Sequence, residues 1–296
     1  MSRLTVAAVI VHWGPIEPTC RLVVELASTS ALQNVLVVAN DMSPRPSSLP
    51  SAIGWLIPER NLGYAGALEY ARATESADAW LLLNNDIFLP ASTVTELCRV
   101  IEGEPLVGIA SPLLRTPDGQ VQSSCGSFTL LTSLPVARTP PRSEVQECMW
   151  VTGAVMMLRE EVLLKVGIDT RYFLGFEDAD LCARARSAGW RVVLLRDAEG
   201  IHRGAGTILG PRWQYYALRN RLWFLRNSSS SLRYAVALGW LSGFLLPRVC
   251  LADLFKRRGW VRSYSAFRGL LDGVKALPEQ NWPRDDEPVP KAWIEW

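Results

Sequence analysis

Histidine is scarce in this chain of 296 residues, where it occurs only at His12 and His202. Any chemistry that needs an imidazole therefore has two candidates. The six cysteines include no C-x-x-C pair and no spacing typical of a metal site. They are typical of small core residues in a reducing compartment, which argues against a disulfide-linked secreted protein. We therefore expect a cytoplasmic protein.

The chain also lacks a strong excess of either charge, with 31 Lys and Arg, 29 Asp and Glu and a net charge of +2. This balance gives no indication of nucleic acid as a partner. The first apolar run passes directly into turn residues, which predicts a first strand and not a signal peptide. The longest uncharged apolar stretch, 235–246, is shorter than the ~20 residues of a membrane-spanning helix. We therefore expect no span.

Short β-rich runs alternate with helical patterns over the first hundred residues. The β-rich runs are 4–13, 34–41, 52–59 and 79–86, and the helical patterns are 17–30, 64–77 and 91–103. Such alternation is typical of a parallel sheet with helices on its faces.

The segment 111–147 is rich in Pro, Ser, Thr and Gly, and predicts a hairpin and a mobile loop of the kind that often covers a site. Beyond it, the patterns predict a strand at 147–158, helices at 159–167 and 178–190, and a strand at 191–197 that ends before His202. After residue 208 the chain becomes helical, apolar and rich in Arg and Trp.

The run 79–86 ends in three polar residues, Asn84, Asn85 and Asp86. Ligands of open α/β sheets bind beyond the carboxyl ends of the strands, so this position is a candidate site. The alternative is an ordinary turn, because Asn and Asp side chains favour turns by bonding the local backbone. This stretch alone leaves both interpretations open.

Three carboxylates, Glu177, Asp178 and Asp180, lie within four positions behind an aromatic stretch. Carboxylates at the start of a helix often only cap free N–H groups and complement the dipole. A partly desolvated carboxylate behind an aromatic entry can alternatively take a proton from a hydroxyl. Both interpretations stay open for this segment.

Seven motifs, in this order, resemble the family 2 inverting glycosyltransferases, specifically the rhamnosyltransferase-like branch. They are VIVHWGP, VVANDMS, RNLGYAGALEYA, LLLNNDIFLP, VTGAVMMLREEVLLKVG, YFLGFEDADLCARARSAGW and IHRGAGT. The resemblance spans about residues 4–227. The resemblance implies an α/β GT-A fold, a Rossmann-like nucleotide-binding sheet with helices on both faces. It also implies a nucleoside-diphosphate-sugar donor, Mn²⁺ or Mg²⁺, and a single-displacement reaction. We expect a catalytic domain at 1–208 and a helical appendage at 209–296.

The resemblance assigns the donor and metal side residue by residue. Asp41 matches the position that contacts the nucleoside, and His12 is expected to line the pocket wall. The segment that flanks the nucleotide and its phosphates contains Arg60, Asn61 and Gly63. The family's Asp-x-Asp motif corresponds to Asn84, Asn85 and Asp86, with Asn84 in place of the first acid. Asp86 and His202 are then expected to hold the metal.

The acceptor side is assigned in the same way. Asp178 matches the acid that deprotonates the acceptor hydroxyl, and Glu177 would orient that acid or the acceptor. Gly153, Ala154 and Trp150 are expected at the acceptor site, where small residues leave room for a sugar.

The resemblance favours deoxythymidine-diphosphate-rhamnose as the donor, followed by uridine- or guanosine-diphosphate sugars, and a glycan or lipid-linked sugar as the acceptor. A nucleotide-binding oxidoreductase is excluded, because HWGPIEP lacks the Gly-rich turn of a dinucleotide site. A non-catalytic scaffold of a glycan-assembly complex stays open because Asn84 replaces an acid. The C-terminal helices either pack on themselves or on a second copy, or lie at a membrane surface.

Overall fold

The computed structural model describes residues 4–122, 125–129, 135–137, 143–204, 211–256 and 260–275. Parts of the predicted loop at 111–147, and the predicted helical region after residue 275, lie outside them. The chain divides into two compact units. Unit 1 comprises Met1–Ser127, Ala137–Thr170 and Glu177–Gly204, and unit 2 comprises Phe128–Val136, Arg171–Phe176 and Ala205–Trp296. Unit 2 therefore includes two segments that precede residue 208.

The strands of the described residues are, in chain order, β1 (Val6–His12), β2 (Asn34–Ala39), β3 (Gly54–Leu56), β4 (Ala79–Asn84), β5 (Ile87–Phe88), β6 (Val107–Arg115), β7 (Cys125–Phe128), β8 (Pro135–Ala137), β9 (Val145–Glu147), β10 (Trp150–Val151), β11 (Val155–Arg159) and β12 (Arg191–His202). The main sheet has the order β3-β2-β1-β4-β11-β6-β12-β5, and β9 pairs with β12.

The helices are α1 (Ile16–Ala27), α2 (Gly63–Arg72), α3 (Ala91–Gly103), α4 (Glu160–Val166), α5 (Glu177–Ser187), α6 (Pro211–Ser228), α7 (Ser231–Trp240), α8 (Leu246–Lys256) and α9 (Val261–Val274). A short π-helical segment, Leu241–Leu245, joins α7 to α8.

The sheet of unit 1 is parallel from β3 to β4, and β11 is inserted antiparallel between β4 and β6. All seven residues of β1 are buried, as expected for a central strand covered on both faces. The chain passes from β1 to β2 on one side and places β4 on the other side, so the strand order reverses at β1. The ends of β1 and β4 therefore flank the crevice where α/β sheets bind ligands.

Three sequence-based expectations differ from the structure. The predicted strand 191–197 continues to His202, because a register shift between Leu195 and Glu199 lets β12 keep pairing with β6. The predicted hairpin region begins instead with β6, a nearly fully buried strand from Val107 to Arg115. The predicted strand 147–158 is interrupted by a turn between β10 and β11.

The described residues contain one helix, Ser231–Leu254, that is long and apolar enough to cross a membrane by length and composition. The sequence-based expectation of no span considered only the uncharged stretch 235–246. In the structure the helix continues across Arg248, and its mean hydropathy reaches 1.6.

Candidate active site

The end of β4 is hydrogen-bonded to the turn before β11 and to the segment that follows β1. The amide nitrogen of Asn84 donates to the carbonyl of Ala154 at 3.0 Å. The side-chain amide of Asn85 donates to Trp13 O at 3.2 Å and to Thr19 Oγ1 at 3.1 Å. Asn85 therefore fixes the two strand ends to each other, and its amide is engaged within the protein.

Asp86 and His202 lie side by side. Asp86 Oδ1 is 3.3 Å from His202 Nε2, and both side chains are largely buried. The last residues of β12 pair with β5, so that His202 lies opposite Ile87 and next to Asp86. His202 Nδ1 is 2.8 Å from Gln122 Oε1. The structure thus brings together the two residues that the resemblance assigns to the metal.

This arrangement suits a cation. With Nδ1–H of His202 donating to the Gln122 carbonyl oxygen, Nε2 presents a lone pair to the carboxylate of Asp86. Two acceptors at 3.3 Å repel each other unless a proton or a cation lies between them. Carboxylate oxygen with imidazole is a donor set that suits Mn²⁺ better than Mg²⁺. Within the part of the chain that the structure describes, no group of three or more His, Cys, Asp or Glu side chains could hold a metal ion.

Asp41 lies beyond β2, at the opposite side of the same crevice from β4. Its Oδ2 is 3.3 Å from His12 Nε2 and accepts a hydrogen bond from Gly14 N at 3.3 Å. Its Oδ1 accepts from Ser43 N at 3.1 Å. Burial acts to raise the pKa of Asp41, but the hydrogen bonds from Ser43 and Gly14 lower it below its usual value.

His12 is fully buried, and its Nδ1 is 2.7 Å from Thr19 Oγ1. Burial lowers its pKa, although the charge of Asp41 opposes the shift. The neutral imidazole therefore lines the crevice wall and orients Asp41. An ionised carboxylate held in this way can accept hydrogen bonds from a ribose or a base.

The loop before α2 is held by Asn40, which sequence reasoning did not single out. Its Nδ2 donates to Gly63 O at 3.0 Å, and its Oδ1 accepts from Leu62 N at 3.2 Å. Gly63 has a φ of +72° and donates to Asn61 Oδ1 at 2.9 Å. An amide can make both Asn40 bonds and a carboxylate cannot, which explains why residue 40 is an amide.

Asp178, in the first turn of α5, accepts two backbone hydrogen bonds. Its Oδ2 accepts from Gly153 N at 2.8 Å and its Oδ1 from Ala179 N at 2.7 Å. Burial nevertheless raises its pKa, against the lowering effect of these bonds. A Cβ at Gly153 would lie 3.3 Å from the Asp178 Cβ and 3.4 Å from Tyr64 Cε1. Glycine therefore allows the close approach that orients this carboxylate.

Tyr64 is a site residue that sequence reasoning missed. Its hydroxyl donates to the carbonyl of Gly153, the residue whose N–H bonds Asp178. Its pKa is raised well above the usual value by burial, and then by the charges of Glu177, Asp178 and Asp86. The phenol is therefore bonded to the residue that orients Asp178. Its sequence signal, an aromatic residue in the first turn of a helix, is also that of an ordinary core residue.

The other two acids of the cluster differ in role. Glu177 is buried, and its negative charge acts on Tyr64. Asp180 is buried against Arg184, with 2.6 Å between Oδ2 and the guanidinium. Arg184 also donates to Gly167 O at 3.0 Å, so Asp180 serves the packing of α5.

Of the residues predicted for the acceptor, Gly153 lies against Asp178, as described above. Ala154 is buried in the main core of unit 1. Trp150 is also buried, and its indole N–H donates to Ser127 O at 3.2 Å. Their contact with an acceptor stays a prediction.

Comparison of sequences places this chain near a sugar-transferring enzyme. No model of a known protein family matches the chain. It is 29% identical over 174 residues to N-acetylglucosaminyl-diphospho-decaprenol L-rhamnosyltransferase of Mycobacterium tuberculosis (strain CDC 1551 / Oshkosh), a match that covers 49% of this chain and 57% of that protein. The matched region is thus little more than half the relative's length. The resemblance to rhamnosyltransferases inferred from the motifs is confirmed.

Solved structures confirm the fold. S. aureus TarS 1-349 in complex with UDP-GlcNAc superposes with a TM-score of 0.59 at 13% identity, covering 93% of this chain and 82% of that one. The mannosyltransferase PcManGT from Pyrobaculum calidifontis, in complex with GDP-Man and Mn²⁺, has a TM-score of 0.56 at 14% identity, covering 92% of this chain and 88% of that one. At such identities the likeness shows the fold alone, which is the GT-A fold.

Proposed function

We propose that this protein is an inverting glycosyltransferase that moves a sugar from a nucleoside diphosphate to an acceptor hydroxyl. One observation carries the proposal most directly. Asp178 accepts from Gly153 N at 2.8 Å, and the next residue, Ala154, accepts through its carbonyl from Asn84 N at 3.0 Å, at the end of β4. Asp86, two residues beyond Asn84, lies 3.3 Å from His202 Nε2. A base for an acceptor and a centre for a diphosphate are thus joined through the end of β4 and the turn before β11.

Asp178 would act as the general base. The acceptor oxygen attacks the anomeric carbon while its proton passes to Asp178, and the bond from that carbon to the diphosphate oxygen breaks. The bonding electrons leave with the nucleoside diphosphate, so that one displacement inverts the anomeric centre. A carboxyl with a raised pKa is better matched to receiving this proton near neutral pH than an ordinary Asp. The bonds from Gly153 and Ala179 hold it in place.

The donor would lie along the ends of β1, β2 and β4. Asp41 and the neutral His12 would face the nucleoside. Arg60 is half-buried and has no hydrogen-bond or ion-pair partner among the described residues, so its planar fork is available for phosphate. When bound at Asp86 and His202, Mn²⁺ or Mg²⁺ supplies positive charge that offsets the charge developing on the departing diphosphate.

The substrates are inferred from the similar proteins. The Mycobacterium relative is named for transferring L-rhamnose to an N-acetylglucosaminyl-diphospho-decaprenol. We therefore expect an activated rhamnose as donor and a lipid-linked glycan as acceptor. The cysteines at 20, 98, 125, 148, 182 and 250 are all free thiols, which supports a reaction on the cytoplasmic side. The non-catalytic scaffold is not favoured, because the carboxylate of Asp86 is present beside His202, although Asn84 replaces the other acid of the motif.

A donor screen tests the proposal. Deoxythymidine-diphosphate-rhamnose, UDP-N-acetylglucosamine and GDP-mannose are each incubated with the protein in Mn²⁺ or in chelator, with and without a short-chain diphosphate-linked N-acetylglucosamine. The proposal expects Mn²⁺-dependent release of nucleoside diphosphate from one donor, stimulated by the acceptor. Asp178→Asn serves as the control that binds donor without transfer. If no donor releases nucleoside diphosphate and none shifts the melting temperature in Mn²⁺, the protein is a scaffold.

A further inference from the structure

Helix α9 has its large side chains on the outside. Its buried positions are occupied by small residues, namely Ser263, Ser265, Ala266, Gly269 and Gly273, together with Leu270. A Cβ at Gly269 would meet Tyr215 O at 2.5 Å, so the small residues are needed for close packing on α6. The exposed residues recur at helical spacing and are all large and apolar: Trp260, Tyr264, Phe267, Leu271 and Val274. A helix that packs only against its own unit shows the reverse pattern.

The helix Ser231–Leu254 has a second exposed apolar face. Only 11% of its most apolar 18-residue stretch is buried. Its exposed large apolar residues are Leu232, Val236, Phe244, Leu251 and Leu254, with Leu232 exposed to 74%. Its opposite face contributes Leu241 and several half-buried residues to the cluster formed with α6 and α9. One side is therefore in protein and the other has no cover in the described residues.

The charges on this helix are distributed unevenly. Its one acid, Asp253, is buried, where its carboxylate accepts from Ser263 N at 2.9 Å and from Ser263 Oγ at 2.7 Å. The exposed charged residues are Arg233 and Arg248. Residues 231–275 contain eight Lys and Arg but only two Asp and Glu. The net charge of this segment is +6 in a chain whose total is +2, so the rest of the chain carries a net charge of −4.

The second acid of the segment is also neutralised within the unit. Asp272 lies 2.6 Å from Lys275 Nζ, and it accepts a hydrogen bond from Tyr215 OH at 3.1 Å. The exposed surface of the described part of these helices therefore combines apolar and aromatic side chains with the positive charges of Arg233 and Arg248. This combination is complementary to an anionic lipid surface, where Trp, Tyr and Arg lie at the headgroup level.

We infer that the exposed faces of Ser231–Leu254 and α9 bind an anionic bilayer surface, lying in its interface. A second copy bound through the same helices would bring one +6 segment against another, so charge disfavours a symmetric dimer through this surface. The helix Ser231–Leu254 does not cross the bilayer, because its inner face packs against α6 and α9. Helix α9 does not cross it either, because it is ~21 Å long and the hydrocarbon core is ~30 Å thick.

Co-flotation of the full chain with vesicles tests this inference. The vesicles contain phosphatidylcholine alone or phosphatidylcholine with 30 mol% phosphatidylglycerol. We expect the protein to float with the anionic vesicles and to remain at the bottom with the neutral ones. The double variant Phe267→Ser with Leu271→Ser should reduce flotation at least ~10-fold, because it removes two side chains that would enter the interface. Phe244→Ser tests the other helix in the same way.

The matched control is Leu106→Ser with Leu164→Ser, which changes two exposed apolar residues of unit 1 and should float like the unchanged protein. Circular dichroism establishes that every variant is folded.

Three results would each overturn the inference: no flotation with anionic vesicles, flotation unchanged by both surface variants, or a dimer in light scattering that the surface variants dissociate. Resistance to alkaline carbonate extraction would show a span instead. No arm of the experiment uses a sugar donor, so its outcome is separate from that of the proposed transfer.

Discussion

At the scale of single residues, two opposing influences determine the pKa of Asp178. Backbone N–H groups of Gly153 and Ala179 stabilise its ionised form, while burial favours its neutral form and prevails. The carboxyl is thus held in one orientation and still takes up a proton more readily than an exposed Asp. Both properties are required of a general base.

Replacing Asp178 by Asn should slow transfer by ~10²–10⁴-fold, because a carboxamide keeps the shape and cannot take the proton. Donor affinity, measured by titration, should be unchanged. In the unaltered enzyme, only ionised Asp178 is active, so kcat/KM should rise with pH through a pKa above the usual Asp value and fall on acidification below it. An acid limb at the ordinary Asp pKa, or equal transfer by the variant, removes Asp178 from the mechanism.

Tyr64→Phe removes the hydroxyl that donates to the Gly153 carbonyl. We expect unfolding to become easier by ~1 kcal/mol, and kcat to fall by up to ~10-fold because Gly153 also orients Asp178. Tyr70→Phe is the matched control, since it removes a hydroxyl that donates to Ile57 O from the same helix. Melting temperature and kcat are compared in both. A kcat that changes no more in Tyr64→Phe than in Tyr70→Phe excludes a role for the phenol.

Asn40→Asp should destabilise the loop before α2. The new carboxylate would face the Gly63 carbonyl, where the amide now donates at 3.0 Å. An unpaired buried acceptor costs ~1–3 kcal/mol, so denaturant unfolding should occur at lower concentration. Asn84→Asp, the control, replaces a half-buried amide at the end of β4 and should be tolerated. Equal stability of the two variants would show that the Asn40 bonds do not hold this loop.

At the scale of elements, α6 stabilises the segment Arg171–Phe176 within unit 2. Phe173 and Phe176 have φ values of +63° and +75°, which are costly for residues with a side chain. Asn220 Nδ2 lies 2.9, 3.0 and 2.7 Å from the carbonyl oxygens of Tyr172, Leu174 and Gly175, which share its two N–H groups. These bonds offset the strain of the turn.

Asn220→Ala should lower the free energy of unfolding by ~2–4 kcal/mol, because the carbonyls of Leu174 and Gly175 lose this donor, whereas the carbonyl of Tyr172 still accepts from Arg219. Asn227→Ala, at an exposed position of the same helix, should change it by no more than ~0.5 kcal/mol. Urea unfolding of both variants measures the difference. Similar midpoints for the two would mean that other contacts hold the segment.

The elements that the sequence predicted well are those with continuous apolar runs, such as β1 and β4, because burial on both faces leaves no polar alternative. Asp86 and Asp178 were predicted as site residues because their motifs resemble a family. Tyr64 and Asn40 were not, because their roles depend on Gly153 and Gly63, which are distant in sequence. The end of β12 at His202 was missed because its extension depends on a register shift against β6. The unusual arrangement of α9, with small residues buried and large apolar residues exposed, was visible only once its buried face was known.

At the scale of the whole molecule, we attribute the chemistry to unit 1 and the lipid contact to unit 2. Unit 1 contains Asp41, Asp86, Asp178 and His202, the residues to which we attribute donor binding and transfer. Unit 2 contains Ser231–Leu254 and α9, with their exposed apolar faces and positive charge. A transferase acting on a lipid-linked acceptor needs both properties.

The most direct test of the account is calorimetric titration of deoxythymidine-diphosphate-rhamnose into the protein in Mn²⁺ and in chelator. It is performed on the unchanged chain, Asp86→Ala, His202→Ala and the double variant. We expect chelator and each single substitution to remove most of the affinity, and the double variant to lose little more than one single, because both residues serve one cation. Donor binding that is equally tight in chelator, with losses at Asp86 and His202 that simply add, would contradict a shared metal site.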